Sequence, residues 1–185
     1  MRTLILFFLF AQTAFATPKP LGLPWGVKVE RHFQALDGYR YELGDVSWGR
    51  MYFEGKIQAG IESELLVLFT TDGKIERAYL TLGPIGISEM NCISRYREVI
   101  TALSLKYGPS IGAVVTRDSI IEDLIFVSEC YAIAVGVAVT RTMWKVGDFE
   151  ITASIFSDFR DILIEIEYVF VPIRKVNRSE LLKLL

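Results

Sequence analysis

The side chains with the most chemical capacity in this sequence are few and scattered. The only histidine, His32, follows Arg31. Activating a serine or cysteine nucleophile needs a neighbouring base, most often histidine, and no Gly-x-Ser-x-Gly elbow accompanies His32. The two cysteines, Cys92 and Cys130, form no Cys-x-x-Cys motif, which argues against zinc. As an even pair they suit a disulfide in an oxidising compartment. Glu165 and Glu167 share one strand face, and Asp158 and Asp161 share a turn. Paired carboxylates can do acid–base work on a glycan, but solvated strand positions and turn chemistry account for both pairs. Asp158-x-x-Asp161 lacks the remaining ligands of a calcium loop. The glycines near 83–86 and 108–112 lack the lysine and the helix signature of a phosphate loop. The expectation is no catalytic residue, no cofactor and no metal. Trp25, Trp48 and Trp144 are the candidate binding aromatics, as a platform for glycan or peptide.

The start of the chain carries a clearer message. Arg2 is a positive first region, residues 4–10 are unbroken apolar sequence, and Ala14-Phe15-Ala16 is a small-x-small cleavage site. These are the three parts of a secretory signal peptide, expected to span residues 1–16 with the working protein starting near Thr17. The apolar run is well short of the roughly 20 residues that span a bilayer. No cysteine lies near the cleavage point, so lipid attachment is not indicated. No other segment is apolar and long enough to span; residues 131–139 come closest. A soluble periplasmic or secreted protein is expected.

Residues 17–185 suit one domain of roughly 100–200 residues. The chain is 51% hydrophobic and 23% charged, which excludes global disorder. A formal net charge of −2 gives no electrostatic footprint for nucleic acid.

The elements that would position these groups follow from periodicity. A Pro/Gly-rich extended lead-in over 17–26 precedes a short helix over 27–36, with Val29, Phe33 and Leu36 at helical spacing. Residues 39–43 and 47–53 are short strands. Residues 62–70 and 75–82 form a hairpin about Asp72-Gly73, with Ala78, Leu80 and Leu82 on one face and Ile75, Arg77 and Tyr79 on the other. Gly83-Pro84 and Gly86 break the chain. The strongest helix is 88–107, with Ser88 as N-cap, a stripe of Ile93, Tyr96, Ile100, Leu103 and Tyr107, and a Gly108-Pro109 stop. Cys92 falls at the edge of that stripe. Residues 110–122 are expected to be a loop, and 128–137 a helix. Strands follow at 141–146, 149–155 and 162–170, the last two alternating apolar with polar as a sheet with one wet face requires. Residues 69–75 and 156–162 echo each other, which allows two copies of a helix-plus-sheet unit. The expected fold class is α+β, with an antiparallel sheet packed against helices in one domain over 17–172. A tail over 173–185, basic at first, finishes as a short helix.

Leu23-Pro24-Trp25-Gly26, Leu68-Phe69 before Asp72-Gly73-Lys74-Ile75, and Tyr96…Leu103…Lys106-Tyr107-Gly108-Pro109 together resemble a layout of small exported bacterial proteins. Those proteins run a Pro-Trp-Gly entry, a short helix, an Asp-Gly-Lys turn and a helix ending in Tyr-Gly-x-Pro. The layout is similar to the small lipoprotein of the outer-membrane β-barrel assembly machine and, as a tandem unit, to β-lactamase inhibitor protein. It covers about residues 21–109, and this chain departs from the lipoprotein in lacking a lipid-attachment cysteine. The resemblance implies a periplasmic protein that works by binding another envelope or exported protein. Two other functions fit an exported α+β domain: a carrier of a small apolar ligand, and a hydrolase with an unrecognised site.

Overall fold

The computed structural model describes residues 19–28, 39–41, 49–56, 62–85, 89–117, 128–158 and 161–173. The expected signal peptide, the helix over 27–36 beyond Lys28, His32, Trp48 and the tail beyond Ile173 lie outside them.

Eight strands form one antiparallel sheet. They are β1 (Tyr39–Tyr41), β2 (Arg50–Lys56), β3 (Glu62–Phe69), β4 (Ile75–Ile85), β5 (Gly112–Arg117), β6 (Ala138–Val146), β7 (Phe149–Asp158) and β8 (Asp161–Phe170). Helix α1 (Glu89–Tyr107) precedes β5, and α2 (Glu129–Ala134) lies between β5 and β6. The order across the sheet is β1-β2-β3-β4-β8-β7-β6-β5. Each half is a four-stranded meander, and the halves meet where β4 pairs with β8. Exchanging each strand of one half for its counterpart in the other leaves the order unchanged. The echo at 69–75 and 156–162 falls on equivalent hairpins, β3–β4 and β7–β8.

Alternation decides the two faces. Ile151, Ala153 and Ile155 of β7, and Ile162, Ile164, Ile166 and Tyr168 of β8, are all buried, while Glu165 and Glu167 point to the opposite side. Leu65 and Val67 of β3 and Leu80 and Leu82 of β4 extend the same apolar face. The described helices cover the part of that face formed by β6, β7 and β8. The Tyr96 hydroxyl of α1 donates to the Ala153 carbonyl at 2.9 Å and shares a 3.0 Å bond with Thr142 Oγ1. Ser157 Oγ of β7 donates to the Ala134 carbonyl of α2 at 3.0 Å. Cys92 and Cys130, both fully buried, form a disulfide that joins α1 to α2 with Cα atoms 6.0 Å apart.

Several sequence expectations shift. Residues 112–117 are the edge strand β5 rather than loop; both faces are exposed there, so no apolar–polar contrast marks the strand in sequence. Gly83-Pro84 does not end β4, which runs on to Ile85 through a register irregularity against β8. Ile75 does not share a face with Arg77 and Tyr79. A bulge opposite Leu68 and Phe69 inserts one residue, and Ile75 turns into the core at 0% exposure. Cys92 sits on the buried face of α1 with Tyr96 and Leu103, not at its edge. The Asp72-Gly73 connection is longer than two residues: Phe69 pairs with Ile75, and Gly73, at φ 81°, supplies the left-handed step. The helix expected over 128–137 is present as the shorter α2, with Ser128 capping it by accepting from the Tyr131 N–H.

The lead-in is docked on its own sheet. Residues 20–22 form a tight turn, Leu23 is fully buried, and Trp25 bridges to Ile75. Trp25 Nε1 donates to the Pro20 carbonyl at 2.8 Å, and its ring meets Phe149 edge-on at 5.3 Å.

Candidate functional site

The structure does not place the described tryptophans on a binding face. Trp25 and Trp144 are 3% and 1% exposed and belong to the core. Large apolar rings gain most from water exclusion, and each indole N–H has found a backbone carbonyl, Pro20 for Trp25 and Gly108 for Trp144.

The feature with the geometry of a site lies on the other side of the sheet. A trough of about 590 Å³ runs over the face opposite the described helices, lined among others by Tyr79, Met143, Thr152, Phe156, Glu165 and Glu167. Four adjacent strands supply it: β4, β8, β7 and β6. Strand register fixes two transverse rows of neighbours. One runs Tyr79, Glu167, Thr152, Met143. The other runs Glu64, Thr81, Glu165, Ser154, Arg141. Because directly opposed residues on one face are about 5 Å apart, each row is a continuous strip of side chains.

The first row is internally satisfied. Arg77 Nη1 lies 2.9 Å from Glu167 Oε1 and donates to the Tyr79 hydroxyl at 2.9 Å. Its guanidinium carbon is 6.0 Å from the centre of the Tyr79 ring. Burial raises the Tyr79 hydroxyl above its ordinary pKa, with the negative charge of Glu167 adding to the rise and Arg77 opposing it.

The second row is not satisfied. Among the described residues Glu165 has no ion pair and no hydrogen bond. Burial pushes its carboxyl above the ordinary range, and repulsion from Glu167 pushes it the same way. The folded chain thus holds this proton more tightly than the unfolded one. That contribution favours folding below the ordinary carboxyl range and is lost as pH rises through the higher folded value. Glu165→Gln is expected to raise the thermal midpoint at pH 7 and to leave it unchanged near pH 3. Scanning calorimetry at the two pH values checks this; a difference that does not grow with pH contradicts it.

Glu165 and Glu167 do not form an acid–base pair across a cleft. They stand on one strand, roughly 7 Å apart along it, and Glu167 is committed to Arg77. Asp158 and Asp161 are directly paired at the end of the β7–β8 hairpin. Among the described residues no three metal-ligating side chains come together, and no described helix is long and apolar enough to cross a membrane.

Sequence reasoning marked Glu165 and Glu167 but treated them as solvated. It placed Arg77 and Tyr79 on the face away from Ala78, Leu80 and Leu82 without connecting them to either glutamate. The connection depends on β4 lying beside β8, which no local pattern announces. The available signal was the half-apolar character of the wet face, where Leu66, Leu68 and Phe156 sit among polar residues. Comparison with protein-family models, curated proteins and solved structures finds no match.

Proposed function

We propose that the chain is an exported, soluble, non-catalytic protein-binding module of the periplasm or extracellular space. Its contact surface is the open sheet face, and its partner is another envelope or exported protein, including an enzyme that it inhibits. The observation that carries this reading is the trough, which mixes Tyr79, Met143 and Phe156 with Arg141, Glu165 and Thr152. Aromatic residues, methionine and arginine are the types enriched at protein interfaces. Eight strands span roughly 34 Å across the sheet, enough for a standard interface of about 800 Å² per partner. The secretory features of residues 1–16, the buried disulfide and the resemblance to small exported proteins support the destination.

The test compares two faces. Envelope extract is cross-linked to the wild-type chain, to Thr152→Arg on the open face and to Lys106→Glu on α1. The same partner is expected with wild type and Lys106→Glu, and at least tenfold less with Thr152→Arg. Recovery unaffected by Thr152→Arg, or lost only with Lys106→Glu, overturns the reading.

A further inference from the structure

We infer that the trough seats one basic side chain of a protein partner, a lysine or arginine, with the Glu165 carboxylate as its counter-ion. This rests on the reading of the open face as a protein-contact surface and names what that surface selects.

The argument is one of charge complementarity in a defined cavity. Glu165 stands in the trough with hydroxyl residues as its cross-strand neighbours, Thr81 on β4 and Ser154 on β7. Neither carries charge. The nearest carboxylate on its own strand, Glu167, is paired with Arg77, and among the described residues Glu165 has no ion pair. One strand beyond Thr81 the row continues with Glu64. Its negative charge adds to that of Glu165, so this half of the row gains from an added cation.

Three occupant chemistries can be compared. An acidic side chain is repelled by Glu165 and Glu64. An apolar side chain completes the desolvation of Glu165 and returns no hydrogen bond, which is unfavourable for a charged group. A basic side chain supplies a charge-assisted hydrogen bond to a carboxylate already part-desolvated, where such bonds are strong. Thr81 and Ser154 stand where their hydroxyls can accept the remaining N–H donors. Arg141, two strands from Glu165 and so roughly 10 Å away, is also without an ion pair among the described residues. Its positive charge disfavours a second cation at that side of the trough. The locked Arg77–Tyr79–Glu167 group forms the other boundary.

The experiment pans a displayed library of random 12-residue peptides against the disulfide-bonded chain. The enriched peptides are synthesised, and their Kd is measured on wild type, Glu165→Gln, Glu64→Gln and Tyr79→Ala. Each peptide is also made with citrulline or norleucine in place of its arginine or lysine. The expected result is enrichment of a single basic residue among apolar ones. Kd should weaken at least tenfold with Glu165→Gln or with the neutral peptide, and by threefold or less with Glu64→Gln. Glu165→Gln removes a destabilising charge, so its fold is retained and loss of binding is not loss of structure. Peptides sensitive to Tyr79→Ala but indifferent to Glu165→Gln overturn this inference and leave the open-face reading standing. Peptides indifferent to every open-face variant, or a library with no binder, overturn both.

Discussion

Reducing the Cys92–Cys130 bridge is expected to lower the unfolding free energy by about 4 kcal/mol, the chain-entropy value for a loop of this length. The two cysteines are 38 residues apart, and the segment between them includes most of α1 and the whole of edge strand β5. Domains of this size have about 5–15 kcal/mol to lose. The bridge is thus a large share of the total. It also does local work. Helix α2 is only six residues long, too short to persist alone, and it is anchored by Cys130, by Ser157 donating to Ala134, and by Thr140 Oγ1 donating to Glu129 at 3.1 Å. The measurement is urea unfolding of the oxidised chain, the reduced chain and Cys92→Ala/Cys130→Ala. A midpoint shift worth less than 1 kcal/mol would show that packing alone holds α2. Both sulfurs sit in residues of 0% exposure, so a folded sample should resist mild reductant and yield its thiols only as urea opens it.

The second large effect concerns Trp144. Replacement by alanine is expected to cost about 3–5 kcal/mol, the range for deleting a buried aromatic ring. Trp144 is 1% exposed, on the core face of β6 and opposite Ile151 of β7. Its Nε1 donates to the Gly108 carbonyl at 3.1 Å, which pins the end of α1 to the sheet. Truncation thus opens a cavity and strips a carbonyl of its donor at once. Trp144→Phe separates the two: it keeps most of the apolar volume and is expected to cost about 1–3 kcal/mol for the unmade hydrogen bond. Equal losses for the two variants would contradict this division. Both are read by urea unfolding, with the disulfide intact.

The parts of this fold that were legible in sequence are those where burial alternates cleanly. Phe149, Ile151, Ala153 and Ile155 announce β7, and Ile162 to Tyr168 announce β8, because every second residue must leave water. Helix α1 is marked by its apolar spacing and by Gly108-Pro109. Strand β5 is silent because Val114 and Val115, on opposite faces, are 49% and 48% exposed, so periodicity has no contrast to report. Ile75 was misassigned because a bulge shifts the phase by one residue, and a period-2 pattern carries no memory across such a shift. Trp25 and Trp144 illustrate a different limit: type and spacing do not distinguish an exposed aromatic from a buried one. For the candidate site, sequence supplied the two glutamates. Only the pairing of β4 with β8 revealed that Arg77 pairs with Glu167 and that Glu165 has no ion pair among the described residues.

The central seam has a consequence for timing. Strand β8 is the last described strand in the chain, yet it sits between β4 and β7 in the middle of the sheet. Until residues 161–170 emerge, the first meander ends at β4 and the second at β7, each with a bare backbone edge and an apolar face. Leu80 and Leu82 line one, Ile151 and Ile155 the other. Neither half can complete its core early, and contacts between segments so distant in sequence form slowly. A chain exported as proposed would stay threadable until β8 has crossed. The same delay leaves two adhesive edges open during synthesis, so a molecule interrupted before Asp161 should be a substrate for chaperones and proteases rather than a stable half.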